Sequence, residues 1–364
     1  MSRFIPGKEL SRRFFFEAVK PILTAHFGRL QYGAALIGPG SEVLNFDTEM
    51  SSDHCWGPRL ILFLRESEIE LSQTIDKAFR TNLPATFLSY PTGKSAPDPE
   101  DNGTWHLESN DEEVNHAVQI VSLRKYLLDY VGFDIDQPLE AIDWLTFPEQ
   151  KLRTLRDGEV YHDSIGLRKS LDQFHYYPND VWLYLLSAGW NRIGQEEHLF
   201  GRAGSVGDNV GASIIASRLV RDLMRLCFLM AKEYAPYPKW LGTAFSKLKC
   251  APELLPTFSK VLIARNWQEG EENLVKAYLI VAEMHNDLGI TPHINVEIGD
   301  FFGRPFKVVH LPGKYSEAIA NRIEDKQLKR LALTLPLGNI DQISDNTDLL
   351  STSAYRKLLR QLYD

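Results

Sequence analysis

A chain of 364 residues with 44% hydrophobic and 24% charged side chains is too apolar to stay disordered and long enough for two cores of about 150–200 residues. The longest apolar runs, 60–64 and 181–186, fall far short of the roughly 18 residues a bilayer span requires, so no membrane association is expected. A formal net charge of −8 offers no global field for a nucleic-acid backbone, which argues against long DNA or RNA as a partner.

In chain order, helical spacing of Phe14, Phe15, Val19, Ile22 and Leu23 predicts a helix over 10–26. A buried strand follows over 32–37, closed by Gly38-Pro39-Gly40, and a second over 59–64. Ile69, Leu71, Ile75 and Phe79 predict a helix over 66–80. Shorter strands are expected over 86–90 and 116–121, with an exposed polar loop, 93–115, between them. From 122 to about 289 the period is helical almost throughout. A last segment carries an apolar stretch at 306–310, a helix over 316–322 and a tail over 339–364. These periods predict an α+β fold: an α/β domain over 1–135, a mostly helical domain over 136–335, and a tail, 336–364, packed on one of them.

The first residues mix acids and bases and lack an apolar signal segment, which predicts a cytoplasmic chain. Cys55, Cys227 and Cys250 are odd in number and show no ligand spacing, which argues against a disulfide framework or structural zinc.

Residues 36–64 run strand, Gly40-Ser41, acidic loop, Ser52-Asp53, strand. A glycine before a short hydroxyl residue lets backbone N–H groups approach phosphate oxygens, which makes Gly40 and Ser41 candidates for nucleotide binding. An ordinary strand-ending turn is the alternative. Carboxylates two apart on a strand share a face and can bind magnesium. Asp53 is followed at that spacing by Cys55, a poor ligand for a hard cation. The nearby Asp47 and Glu49 are the substitutes, so the candidate metal set is Asp53, Asp47 and Glu49, with a solvated loop or helix cap as the alternative for the latter two. His54 is a candidate base or a structural histidine.

This order of strand, Gly-Ser and Ser-Asp resembles the nucleotidyltransferase superfamily signature. At a finer grain, blocks 40–54, 56–59, 177–184, 195–208, 218–226 and 341–350 resemble the family catalogued as domain of unknown function 4037, over nearly the whole chain. The resemblance implies a nucleotidyltransferase-like α/β domain with a helical partner, similar in plan to enzymes that adenylylate small hydroxylated molecules. It also implies a third carboxylate on a later strand, where this chain has Gln119.

The helical half has a polar cluster of its own. Gln195, Glu196, His198, Arg202 and Asp208 lie within fourteen residues, and Arg218, Arg221, Asp222 and Arg225 follow at helical spacing. Glu196 or Glu197 is the candidate catalytic base for an acceptor hydroxyl. Arg218 and Arg225, with Arg221 beside them, are candidates to hold phosphates bidentately, and Lys239, among aromatics, is a further phosphate ligand. An internal salt-bridge network is the alternative for the arginines. Asp341, Asp345 and Asp348 read as a solvated cluster at a helix start.

The functional expectation is transfer of a nucleoside monophosphate from ATP or another nucleoside triphosphate, with Mg²⁺, to a hydroxyl of a small-molecule acceptor. The alternative is a nucleotide- or small-ligand-binding protein that has lost the metal centre.

Overall fold

The computed structural model describes residues 4–101, 103–109, 113–310 and 313–364. The chain forms two compact units, one of residues 1–138 and 151–175, the other of residues 139–150 and 176–364.

The first unit is built on a four-stranded mixed sheet of β1 (Tyr32–Leu36), β2 (Arg59–Leu64), β3 (Ala117–Ser122) and β4 (Glu159–Asp163), in the order β3-β2-β1-β4. β1 is antiparallel to β2, with Ala35 opposite Ile61, and antiparallel to β4, with a register shift between Ala34 and Ala35. β2 and β3 are parallel, with Arg59 opposite Ala117.

The continuous apolar run of β2 follows from burial on both faces. Leu60, Leu62 and Leu64 join one core cluster with Leu10, Phe14, Phe15, Val19, Ile75, Phe79 and Val118. Those residues come from α1 (Gly7–Phe14), the π-helical turn Phe15–Val19, α3 (Ser72–Asn82) and β3. α2 (Lys20–His26) continues the first helix. On the opposite face, Phe63 meets the Tyr126 ring edge-on at 5.5 Å. Tyr126 lies on α4 (Leu123–Val131), which starts at the Ser122 cap and stops at Gly132 in the left-handed region. Each phenylalanine buried here contributes roughly 1.5–3 kcal/mol.

Three expectations change in this unit. The strand expected over 86–90 is a tight hairpin, Thr86–Phe87 paired with Tyr90–Pro91, because Leu88 and Ser89 both take positive φ. The polar loop 93–115 carries short pairing of Gly93–Lys94 with Leu107–Glu108; part of it, 102 and 110–112, lies outside the described residues. The boundary at 135 also moves, because 151–175 carries β4, which completes the sheet beside β1.

The second unit is mostly helical. α5 (Asn179–Ser205) and α6 (Asn209–Met230) form a hairpin around Gly207, with Asp208 capping α6 through Gly211 N at 2.8 Å. α7 (Ala251–Leu262) and α8 (Trp267–Asp287) pack on one another, and α8 starts at the Asn266 cap. The apolar stretch expected at 306–310 lies largely in β6 (Arg304–Val308), paired with β5 (Gly299–Phe301). The tail forms short helices Ile340–Ile343, Thr347–Ser351 and Arg356–Arg360 within this unit. No helix among the described residues is long and apolar enough to cross a membrane.

Candidate functional site

The loop between β1 and β2 holds the first set of expected residues. β1 is wholly buried, and the chain leaves it through Gly38 and Gly40, both at positive φ. A Cβ at Gly38 would overlap the Tyr126 hydroxyl, and one at Gly40 would overlap the Arg59 guanidinium and the Glu42 carboxylate. Close packing by the protein itself therefore demands both glycines. Glu42, 2% exposed, accepts from Arg59 Nε at 2.7 Å, and Arg59 also donates to the Pro39 carbonyl. The hollow over Gly40 is filled by this ion pair.

Ser41 opens the short turn Glu42–Leu44, and its Oγ stands 3.5 Å from Ser51 Oγ. That contact brings the Gly40-Ser41 turn beside the segment leading to Asp53. Asp53 and His54 are a pair, 2.8 Å between Oδ1 and Nδ1, with side chains 65% and 50% exposed. The Asp53 carbonyl meets His106 Nδ1 at 2.8 Å.

Asp53 is not on a strand. β2 begins six residues later, because Cys55 and Gly57 at positive φ and Pro58 keep the intervening chain out of the ladder. The same-face argument for carboxylates two apart therefore does not apply. Asp47 Oδ2 accepts from Gly7 N at 2.6 Å and Trp56 Nε1 at 3.1 Å, tying the start of α1 to the loop. Glu49 is exposed at the start of the turn Met50–Ser52. Gln119 is exposed on β3 opposite Ile61. Among the described residues no three His, Cys, Asp or Glu side chains gather as a metal site. Asp53, Asp47 and Glu49 thus do not gather as a three-carboxylate site.

Lys8 lies near this loop and was not anticipated. Its Nζ donates to the Asp157 carbonyl at 2.7 Å, and burial lowers its pKa against the pull of Asp157, Glu159, Asp47 and Glu42. A lysine two residues before Leu10, the first large apolar residue of the helix, carried no signal of this role.

The second set lies in the helical unit. Glu196 is buried, and its Oε1 is shared by Arg192 at 3.0 Å and by Arg218. Oε1, held by two guanidiniums, is a counter-ion, while Oε2 is buried without a hydrogen-bond partner. Arg192 Nε is also 3.5 Å from Asp222, which pairs with Arg221 at 3.1 Å, and Arg221 reaches Asp345 at 2.8 Å. Arg192 precedes Glu196 by four residues, a spacing that could have exposed the pair in the sequence.

Arg225 faces the unit's interior, 3.1 Å from Asp341. Burial pushes the Asp341 carboxyl up to about 6, opposed by Arg225 and reinforced by Glu149. Burial acts to lower the Arg225 pKa, but Glu149, Asp341 and Asp222 raise it overall. Asp341 Oδ2 accepts from Glu149 N at 2.8 Å, and Glu149 in turn holds Ala235 N and Asn339 Nδ2. The solvated reading of Asp341 thus gives way to a buried ion pair, while Asp345 is largely exposed. Lys239 sits over the Trp240 ring at 5.0 Å, outside this network. Glu197 accepts from Val309 N and His310 N, and burial pushes its carboxyl up to about 7.

Arg192, Arg218 and Arg221 line a cavity of about 310 Å³ with Asp341, Gln342, Ile343, Ser344 and Asp345. A larger cavity of about 690 Å³, with Trp144 and Leu183 in its wall and Asp180 and Arg322 beside them, lies elsewhere in the same unit.

Residues 144–241 match the family model described as "Domain of unknown function (DUF4037)". That stretch is similar to the family's domain over 98 of the chain's 364 residues. It contains α5 and α6 and therefore Arg192, Glu196, Arg218, Arg221 and Arg225. No curated protein matches the chain. A solved structure of a nucleotidyltransferase-like protein from Exiguobacterium sibiricum 255-15 aligns at 10% identity and a TM-score of 0.34, over 75% of this chain and 76% of that one.

Proposed function

We propose that the protein binds a nucleotide or a phosphorylated small ligand, as a nucleotidyltransferase-like chain without the superfamily's metal centre. The observation that carries this reading is the contact of Ser41 with Ser51, which sets the Gly40-Ser41 turn and the exposed Asp53–His54 pair along one loop. Hydroxyls and a histidine carried on one loop suit the oxygens of a phosphate group. The fuller expectation, transfer of a nucleoside monophosphate to a hydroxyl through Mg²⁺, places the ion at Asp53 with Asp47 or Glu49. Asp47 is engaged by Gly7 and Trp56, so binding is the reading the geometry supports best.

The test is calorimetric and thermal-shift titration of the full chain with ATP, CTP, GTP and UTP, with and without magnesium, on the wild type and Asp53→Ala. Binding without a magnesium requirement is expected, and it is expected to survive in the variant, which removes a carboxylate rather than a partner of the phosphate. Magnesium-dependent binding lost in Asp53→Ala would restore the transferase reading, and no binding of any nucleotide would remove both.

A further inference from the structure

We propose that the arginine-lined cavity of the helical unit binds a small oxyanion, a phosphate or phosphate ester, and that the Asp345 carboxylate is the internal stand-in this ligand displaces. The proposal rests on the ligand-binding reading above and supplies the chemistry of one part of the ligand.

Each of the three guanidiniums offers five N–H donors, and the protein uses few of them. Among the described residues Arg218 has one side-chain partner, Glu196. Arg192 Nε is buried without a hydrogen bond, its nearest acceptor being Asp222 at 3.5 Å. Arg221 divides its donors between Asp222 and Asp345. All three line a space of about 310 Å³, enough for a phosphate with a small organic group attached.

Charge balance identifies the exchangeable member. Arg192, Arg218 and Arg221 face the carboxylates of Glu196, Asp222 and Asp345. Glu196 and Asp222 are 7% and 10% exposed and fixed on long helices, whereas Asp345 is 70% exposed on the short link between two tail helices. Arg225 and Asp341 neutralise one another. Removing Asp345 leaves one uncompensated positive charge at the cavity, which an incoming oxyanion restores to balance. Exposed ion pairs hold weakly, while several charge-assisted bonds from guanidiniums to one phosphate hold strongly, so the exchange favours the ligand.

Calorimetric titration of the full chain with sodium phosphate, sodium pyrophosphate and sodium acetate tests this, on the wild type, Arg218→Gln and Asp345→Asn, with ATP titrated in parallel. Phosphate or pyrophosphate is expected to bind, about threefold or more tightly in Asp345→Asn and about tenfold more weakly in Arg218→Gln. Asp345→Asn removes only an exposed pair, so its fold is secure; thermal unfolding checks Arg218→Gln. The proposal is overturned if neither anion binds wild type or Asp345→Asn, if a folded Arg218→Gln binds as well as wild type, or if acetate binds as well as phosphate. ATP binding that ignores Arg218→Gln would remove the cavity proposal and leave the nucleotide reading standing. Phosphate bound through the arginines with no nucleotide binding would do the reverse.

Discussion

Gly40 and Gly166 separate two reasons for a positive φ. Both lie in that region, but a side chain at Gly166 would meet nothing within 4 Å, whereas one at Gly40 would strike Arg59 and Glu42. Gly166→Ala should cost only the left-handed backbone term, about 1–2 kcal/mol, and Gly40→Ala measurably more in urea unfolding. Glu42→Gln leaves the largely buried Arg59 without its counter-charge and should cost about 3–5 kcal/mol by the same measurement. At this scale the sequence was legible in part. The Gly38–Ser41 turn stood out because glycine and proline punctuate an apolar run. That Arg59 occupies the turn did not, because its partner lies seventeen residues away across an irregular loop.

Among the elements, β6 and the chain just after it bring Val309 and His310 onto α5 through Glu197. Burial raises the Glu197 carboxyl to about 7 from an ordinary 4.5, so the folded state holds its proton longer than the unfolded chain. Its contribution is complete below pH 4.5 and is lost as pH rises through about 7. Burial lowers His285 to about 4 and His310 to about 3 from 6.5; their contribution is complete above pH 6.5 and is lost as pH falls toward those values. Glu197→Gln should therefore reduce the loss of stability as pH rises through about 7, leaving the part that Asp341 contributes up to about 6 and the acid-side loss intact, as read from unfolding free energies between pH 4 and 8. β1 and β2 were legible as continuous apolar runs, and α5 and α6 by their period. β4 was not, because Glu-Val-Tyr-His-Asp is half polar, every residue is only partly buried, and its partner β1 is more than 120 residues away.

For the whole chain, the tail is a structural member of the helical unit rather than an appendage. Asn339 and Asp341 satisfy Glu149 and Arg225, Arg356 and Arg360 both reach Asp143, and the Tyr363 hydroxyl donates to the Gly338 carbonyl at 2.8 Å. Deleting 336–364 leaves the buried Glu149, Arg225 and Asp143 without these partners. A fall in melting temperature of ten degrees or more, or failure to recover folded protein, is expected, since each abandoned buried charge costs about 3–5 kcal/mol. The arginine cluster was visible in the sequence as charge density inside apolar helices. Its tail partners were not, since nothing local links 192–225 to 341–345.

The two compact units are interleaved along the chain, since 139–150 belongs to the second and 151–175 to the first. A ribosome therefore cannot release a finished first domain after its first 135 residues. Until residue 163 has emerged, β1 lacks its outer neighbour and presents an apolar, unpaired edge, the kind of surface that recruits chaperones or other nascent chains. By then 139–150, with Trp144 and Phe147, is also in solution, waiting for helices not yet translated. Translation speed across the codons for 136–175 should thus influence the yield of folded protein more than the same change elsewhere, a dependence that synonymous recoding of that window would reveal.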